Sequence, residues 1–511
     1  MLYHTMTKLS RRQVPVTLAL MLLLVVPTVL HTPDAAQAYS VGIHYRLPEV
    51  LRLSPELDVD RAVALPDTEA LDNFRSSVYA ILAETDDAEL QRRFLTRYPG
   101  PEAFHRAAFK EFFGMAATHP ALGYDPHDEV VAAAVPWQRE TVSDVRDGEE
   151  RSIVDWVRLG SIFPDLDMRN RGRWWMDNGD FHQTAAGEQI PYDPVILNMG
   201  RVEDLSGQAH AHYGLNRNPK SESPLVLMRE PENFAVPVGF DGPVLTFAPE
   251  RAQAYGDLAI LARHLDEPAL AAIYAGTSYH YLADLGNQIH TVQVGTIDFF
   301  VDATLEAMKL NIRCLWGLLC ETMARNDIGI DIIGNHHTWL EELFRVALMR
   351  AEEGRPLHPA LTDVQDLYVP REELAAEWLP LREEEFILRE LAYAIIDAGN
   401  AEAAEVYELS RDLSVGELRR AGVSISFDDV DDDVVLAHLR DDYDPETMER
   451  FLTLQMRGIL RSTSGLDFWW RQAMAPDVTP DWRGAADRLL RLQLDELDAA
   501  DQRRAQWLQG R

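Results

Sequence analysis

Gly276-Thr277-Ser278-Tyr279-His280-Tyr281-Leu282-Ala283-Asp284-Leu285-Gly286-Asn287-Gln288-Ile289-His290 is a helix-forming run that carries two imidazoles and a carboxylate. His280 and Asp284 stand four positions apart, so on a helix they leave the same face and can share a cation. His290 lies ten positions after His280, about 80° round a straight helix and roughly 15 Å along it. It joins the first pair only if the helix bends; otherwise it serves a second ion. A further pair, His337 and Glu341, repeats the four-residue spacing just after Gly334. Mixed imidazole and carboxylate donors suit zinc better than calcium or magnesium. One His-x-x-x-Asp pair alone is usually a hydrogen-bonded pair in a core or on a surface. Two such pairs with a histidine between them are less ordinary.

Outward from this run, helical spacing extends over 69–97, 251–285, 296–325, 337–353, 386–412, 445–474 and 481–508. Ser54-Pro55-Glu56, Thr85 with Glu89, Asp444-Pro445-Glu446 and Thr479-Pro480-Asp481 supply capping residues, often with proline, ahead of apolar-periodic runs. Strand signals are scarce; the best is 234–247, where Asp241-Gly242 would turn a short hairpin. The stretch 117–250 is rich in Pro, Gly and Asn and reads as long loops, which often line sites. The expected fold class is therefore mostly α. Metal-ligand residue types thin out near 346–380, which sets the expected organisation: a signal peptide at 1–38, a ligand-bearing domain at 39–345 and an acidic helical C-terminal extension at 346–511. The acidic run 428–433 lacks the glycine and terminal glutamate of a calcium loop and reads as a solvated turn.

The chain has 83 acidic and 48 basic residues, a net charge of −35. This excess repels polyanions at long range and argues against nucleic acid as the main partner, although a local basic groove remains compatible with it. Lys8, Arg11 and Arg12 precede an apolar run at 17–26, and Ala36-Gln37-Ala38 offers a small-x-small cleavage site. The expectation is export, with the mature protein periplasmic or secreted. An uncleaved N-terminal membrane anchor is the alternative, disfavoured because Pro15 and Pro27 leave the run short of the roughly 20 residues a spanning helix needs. Cys314 and Cys320 fall in a run that reads as helix, about 9 Å apart along its axis, too far to bridge unless the helix breaks near Gly317. His105, His182 and His264 have no carboxylate four positions away and read as structural or exposed.

Two upstream stretches bear on the ligand set: Gly160-Ser161-Ile162-Phe163-Pro164-Asp165 and His210-Ala211-His212-Tyr213. Taken with His280, Asp284, His290, His337 and Glu341, they resemble the zinc-dependent phospholipase C and S1/P1 nuclease superfamily, including the amino-terminal domain of glycosylphosphatidylinositol-specific phospholipase D. The resemblance covers roughly 39–345 and is strong only over 276–341. Many members have proline two residues before the third ligand, where this chain has Gln288. About 120 residues separate His44 from Asp165, which looks longer than in compact members and implies extra helices. The C-terminal third has no counterpart.

What the resemblance implies is a multi-helix catalytic domain holding three zinc ions. One would use Asp165, His212, His280 and Asp284; a second His290, His337 and Glu341; a third the amino group and carbonyl of Tyr39 with His44 and a bridging Asp284. His210 remains an alternative to His212, and Asp167 to Asp165. Cleavage after Ala38 makes Tyr39 the first residue, with His44 five positions on, so export processing and catalysis would be coupled. Asp165 is also the expected general base. The expected reaction is hydrolysis of a phosphodiester, with phospholipid, met by transient membrane-surface contact, ahead of nucleic acid. Trp174-Trp175 and Trp469-Trp470 are candidate lipid contacts, with core packing the favoured reading for each pair. A single-strand nuclease and a non-catalytic, zinc-stabilised binding protein are the competing functions.

Overall fold

The computed structural model describes residues 41–104, 148–162, 164, 248–291, 335–369, 388–402, 405, 406, 409 and 445–509, with strand segments 181–183, 189–191, 225–227, 236–237 and 293–295. These residues are mostly helical, as the spacing of apolar positions predicts. The helices are α1 (Val41–Arg46), α2 (Thr68–Ala83), α3 (Ala88–Arg97), α4 (Ile153–Gly160), α5 (Ala248–His264), α6 (Pro268–Gly286), α7 (Gln288–Thr291), α8 (Asn335–Glu352), α9 (Leu388–Ala401), α10 (Pro445–Ala473) and α11 (Trp482–Gln509).

The centre is the α5–α6 hairpin. Both helices are buried along nearly their whole length, as expected of helices with no solvated face. Two of their hydroxyls are satisfied by neighbouring backbone. Ser278 Oγ donates to the Ala252 carbonyl at 2.6 Å, and Thr277 Oγ1 donates to Gly160 and Ile273 carbonyls at 3.1 and 3.0 Å. Spacing alone predicts one helix over 251–285, but the chain turns between them. Asp266 takes a left-handed conformation at φ 60°, Glu267 N–H closes back onto the Ala262 carbonyl at 2.9 Å, and Pro268 opens α6 without needing an N–H partner. The run 69–97 is likewise two helices. Asp87, not Thr85, caps the second, accepting from the amides of Glu89 and Leu90; Thr85 instead hydrogen-bonds Asp487 on α11.

Around this hairpin pack α4, α9, α10 and α11. Residues on both sides of position 345, such as Leu282, Phe344, Leu391, Phe451 and Leu489, share one apolar core. Polar ties reinforce the packing. Arg488 of α11 donates to the buried Asp257 of α5, Arg93 of α3 reaches Asp495 and Asp498 of α11, and Arg263 caps the end of α10 through carbonyls of Ala475 and Val478. Trp469 and Trp470 lie inside this core, 4% and 2% exposed, so they are packing residues.

The strands are short: β1 (Ala62–Ala64), β2 (Glu150–Ser152), β3 (Phe181–Gln183), β4 (Gln189–Pro191), β5 (Leu225–Leu227), β6 (Val236–Pro237) and β7 (Gln293–Gly295). Strand β6 pairs antiparallel with β5, which pairs in parallel with β7; the Asp241-Gly242 turn expected within 234–247 lies outside the described residues. So do residues 1–38, read above as an expected signal peptide, and Cys314, Cys320 and the acidic run 428–433. No described helix is long and apolar enough to cross a membrane.

Candidate metal centre

The first histidine is delivered by α1, a six-residue helix too short to persist alone. It is docked through its backbone onto α4. Ser161 Oγ donates to the His44 carbonyl at 2.7 Å, Arg158 Nε donates to the Tyr45 carbonyl at 3.0 Å, and the guanidinium lies 4.0 Å over the Tyr45 ring. Arg46 adds an ion pair to Glu352 of α8 at 2.8 Å.

The other two residues come from α6, whose approach to α4 depends on glycine. A Cβ on Gly276 would fall 2.9 Å from Ser161 N and nearer still to the Val157 carbonyl oxygen. Gly160 is equally tight against Ile273. This contact lets the Ser161 carbonyl reach His280 Nδ1 at 2.7 Å. That ring nitrogen must carry the proton, because a carbonyl only accepts.

His280 Nε2 then faces Asp284 Oδ2 at 3.2 Å, and His44 Nε2 faces Asp284 Oδ1 at 3.1 Å. All three side chains are fully buried, with one ligand atom from each lying within 4.8 Å of the others. The imidazole ring centroids lie 3.9 Å apart with the planes tilted by 30°, a separation that disfavours charging both. Burial pushes the His280 pKa below its ordinary value, outweighing the pull of Asp284, while His44 adds to the depression. A neutral imidazole is the form that binds a metal. This buried group can hold a metal ion.

His290 is placed elsewhere. The α6 helix stops at Gly286, Asn287 adopts extended geometry at φ −78° and ψ 110°, and α7 restarts the chain. The bend is held from α10. Gly458 packs against the Gly286 carbonyl with no room for a Cβ, and Gln288 Nε2 donates to the Leu454 carbonyl at 2.8 Å and to Glu402 at 3.0 Å. Beyond the bend, His290 Nε2 lies 3.0 Å from Glu341 Oε1 on α8, both buried. Asn287 Nδ2 donates to the same oxygen at 3.4 Å. His337 lies one turn before Glu341 on α8; its side chain is outside the described set, as are Tyr39, Asp165, His212 and the alternatives His210 and Asp167. His264 is exposed, with its ring stacked 4.3 Å from the Trp482 ring.

Sequence reading passes over Ser161, Asn287 and Gln455 as contributors. Ser161 sits inside a quoted motif, but its part here is played by a backbone carbonyl, which no residue type advertises. Gln455 is brought in only by helix packing. No family model, curated protein or solved structure matches the chain.

Proposed function

We propose that this chain is an exported zinc-dependent phosphodiester hydrolase whose metal centre is built on the buried group His44, His280 and Asp284. The observation that carries the reading is the commitment of the His280 Nδ1 proton to the Ser161 carbonyl. Nε2 is thereby left as a lone pair aimed at a buried carboxylate 3.2 Å away. Lone pair and carboxylate repel at that distance unless a proton or a metal cation lies between them, and burial, by keeping His280 neutral, opposes the proton. Zinc bonds of about 2.0–2.1 Å in tetrahedral geometry put neighbouring donors about 3.3 Å apart, close to the 3.1 and 3.2 Å separations at Asp284. Asp284 offers one oxygen to each imidazole, which suits a shared carboxylate.

The resemblance to the zinc-dependent phospholipase C and S1/P1 nuclease superfamily supplies the reaction class. In that reading three zinc ions are held, with Tyr39, Asp165 and His212 completing the set around Asp284, and with His290, His337 and Glu341 serving the second ion. Bound zinc would neutralise the phosphodiester anion and acidify a water toward pKa ~7. Asp165 would orient that water as general base. The Ser161 carbonyl would fix the His280 ring and its tautomer, and the α10 contacts would hold the bend that separates His290 from His280.

A phospholipid is the favoured substrate, since a net charge of −35 opposes a polyanion. With Trp469-Trp470 packed inside, Trp174-Trp175 is the remaining tryptophan pair for a membrane surface. The test pairs zinc content with hydrolysis of phosphatidylcholine and of single-stranded DNA and RNA, in wild type and Asp284→Asn. Expected are zinc in the wild type, phosphatidylcholine turnover ahead of nucleic acid, and, in the variant, less bound zinc than in wild type with at least about a hundredfold loss of activity. Activity that survives without bound zinc refutes the proposal. Zinc binding without turnover on any of these substrates replaces it with a metal-stabilised binding protein.

A further inference from the structure

A polar chain runs from the C-terminal helices into the His290–Glu341 pair. It begins at Gln455, buried in the middle of α10. Gln455 Nε2 donates to Asn287 Oδ1 at 3.2 Å, and Asn287 Nδ2 donates to Glu341 Oε1 at 3.4 Å. That oxygen is the one 3.0 Å from His290 Nε2. The direction of the chain follows from the chemistry. An ionised carboxylate only accepts, so Asn287 must turn its NH2 toward Glu341 and its oxygen toward α10. Only a donor can meet that oxygen, and Gln455 supplies one.

The framework around this chain is stiff. Gly458, three residues from Gln455, packs on the Gly286 carbonyl without space for a Cβ. The Leu454 carbonyl, one residue away, accepts from Gln288. Helix α10 is therefore registered against the bend at both neighbours of Asn287, and Gln455 meets the amide from a fixed position. The buried Asn287 oxygen needs a donor, and Gln455 places one there; methionine would fill the same volume without it.

We propose that Gln455 is a positioning residue for a second metal site: through Asn287 it sets the orientation of the Glu341 carboxylate toward a divalent cation shared with His290. This rests on the metal reading of the His290–Glu341 pair given above. It assigns the C-terminal helices a part in metal binding, although that region contributes no ligand. Orienting partners of this kind are worth about ten- to hundredfold in metal affinity.

The test is calorimetric titration of zinc alone into the metal-stripped full chain. Glu341→Gln identifies which binding step belongs to the second pair. Gln455→Met keeps the volume and removes the donor. Gln455→Glu keeps the shape and, at pH 8, replaces the donor with an acceptor. Both Gln455 variants are expected to weaken the step that Glu341→Gln removes, by about ten- to hundredfold. The step at His44, His280 and Asp284 should stay at its wild-type value, while the unfolding midpoint of the metal-free chain should fall because the buried Asn287 oxygen loses its donor. Wild-type affinity at every step in either Gln455 variant overturns the proposal while leaving the second metal site standing. If Glu341→Gln leaves every zinc step unchanged, the metal reading of the pair is wrong and the role of Gln455 falls with it.

Discussion

Replacing Gly276 by alanine adds one methyl group at the crossing of α4 and α6. Its Cβ would stand 2.9 Å from Ser161 N and closer to the Val157 carbonyl oxygen, both backbone atoms that cannot rotate away. Comfortable contact needs about 3.4 Å or more, so the two helices must part locally. Overpacking of this kind costs about 1–3 kcal/mol. The displacement acts on the 2.7 Å bond from His280 Nδ1 to the Ser161 carbonyl; breaking it strands two buried polar groups at about 1–3 kcal/mol. Against this, alanine gains up to about 1 kcal/mol over glycine in helix propensity. The net is a destabilisation of about 1–5 kcal/mol, within the 5–15 kcal/mol typical of a folded domain, so the variant still folds. Urea unfolding of the metal-free chain reads the stability term. Zinc competition reads the second term, expected to weaken about ten- to hundredfold as His280 loses its orienting acceptor. A Gly276→Ala protein with wild-type midpoint and wild-type zinc affinity would show that the crossing does not set the His280 ring.

Other perturbations probe the framework around the site. Burial pushes the Asp257 carboxyl up to about 6, even though Arg488 and Gln253 pull it down. Because this folded value exceeds the unfolded one, the stabilisation from Asp257 is complete below about pH 4 and is lost as pH rises through about 6. Arg488→Met removes the counter-charge and should cost about 2 kcal/mol at pH 7.5 but under about 1 kcal/mol at pH 5, where the carboxyl is protonated; a loss independent of pH in urea melts would contradict this. Burial raises the Glu402 carboxyl, yet Arg461, Gln288 and Arg457 more than offset it and hold the pKa below the ordinary range. Its contribution is therefore present above the unfolded value and lost as pH falls through the lower folded one. Glu402→Gln should destabilise by about 2–3 kcal/mol at pH 7, with the difference from wild type shrinking below about pH 4; an unchanged midpoint at pH 7 would show that the α7–α10 tie is not held there.

Helix content was legible because it rests on local signals: the apolar period, and prolines such as Pro445 that open helices. Where two helices were read as one, the missed stop was also local. Asp266 reaches the left-handed region, which asparagine and aspartate tolerate better than most residues, and Pro268 two positions on marked the restart. The His280–Asp284 spacing correctly put two donors on one face, and the ten-residue step to His290 required a bend or a second ion; the chain bends at Asn287. What the sequence could not display was anything carried by the backbone or by tertiary register. The Ser161 carbonyl that sets the His280 tautomer, the glycine-tight crossings at Gly276 and Gly458, and the approach of Gln455 all depend on how helices cross. The pairing of His44 with Asp284 was expected only through the family resemblance, because 240 residues separate them.

The central claim, that His44, His280 and Asp284 hold a metal, is tested most directly by an anomalous difference map at the zinc edge from crystals of the protein grown with zinc. The account predicts a peak bonded at about 2.0–2.2 Å to His280 Nε2, His44 Nε2 or both, and to an Asp284 oxygen, with His280 Nδ1 still directed at the Ser161 carbonyl. Well-ordered density for the three side chains in the arrangement described, with no anomalous peak among them at saturating zinc, would contradict it.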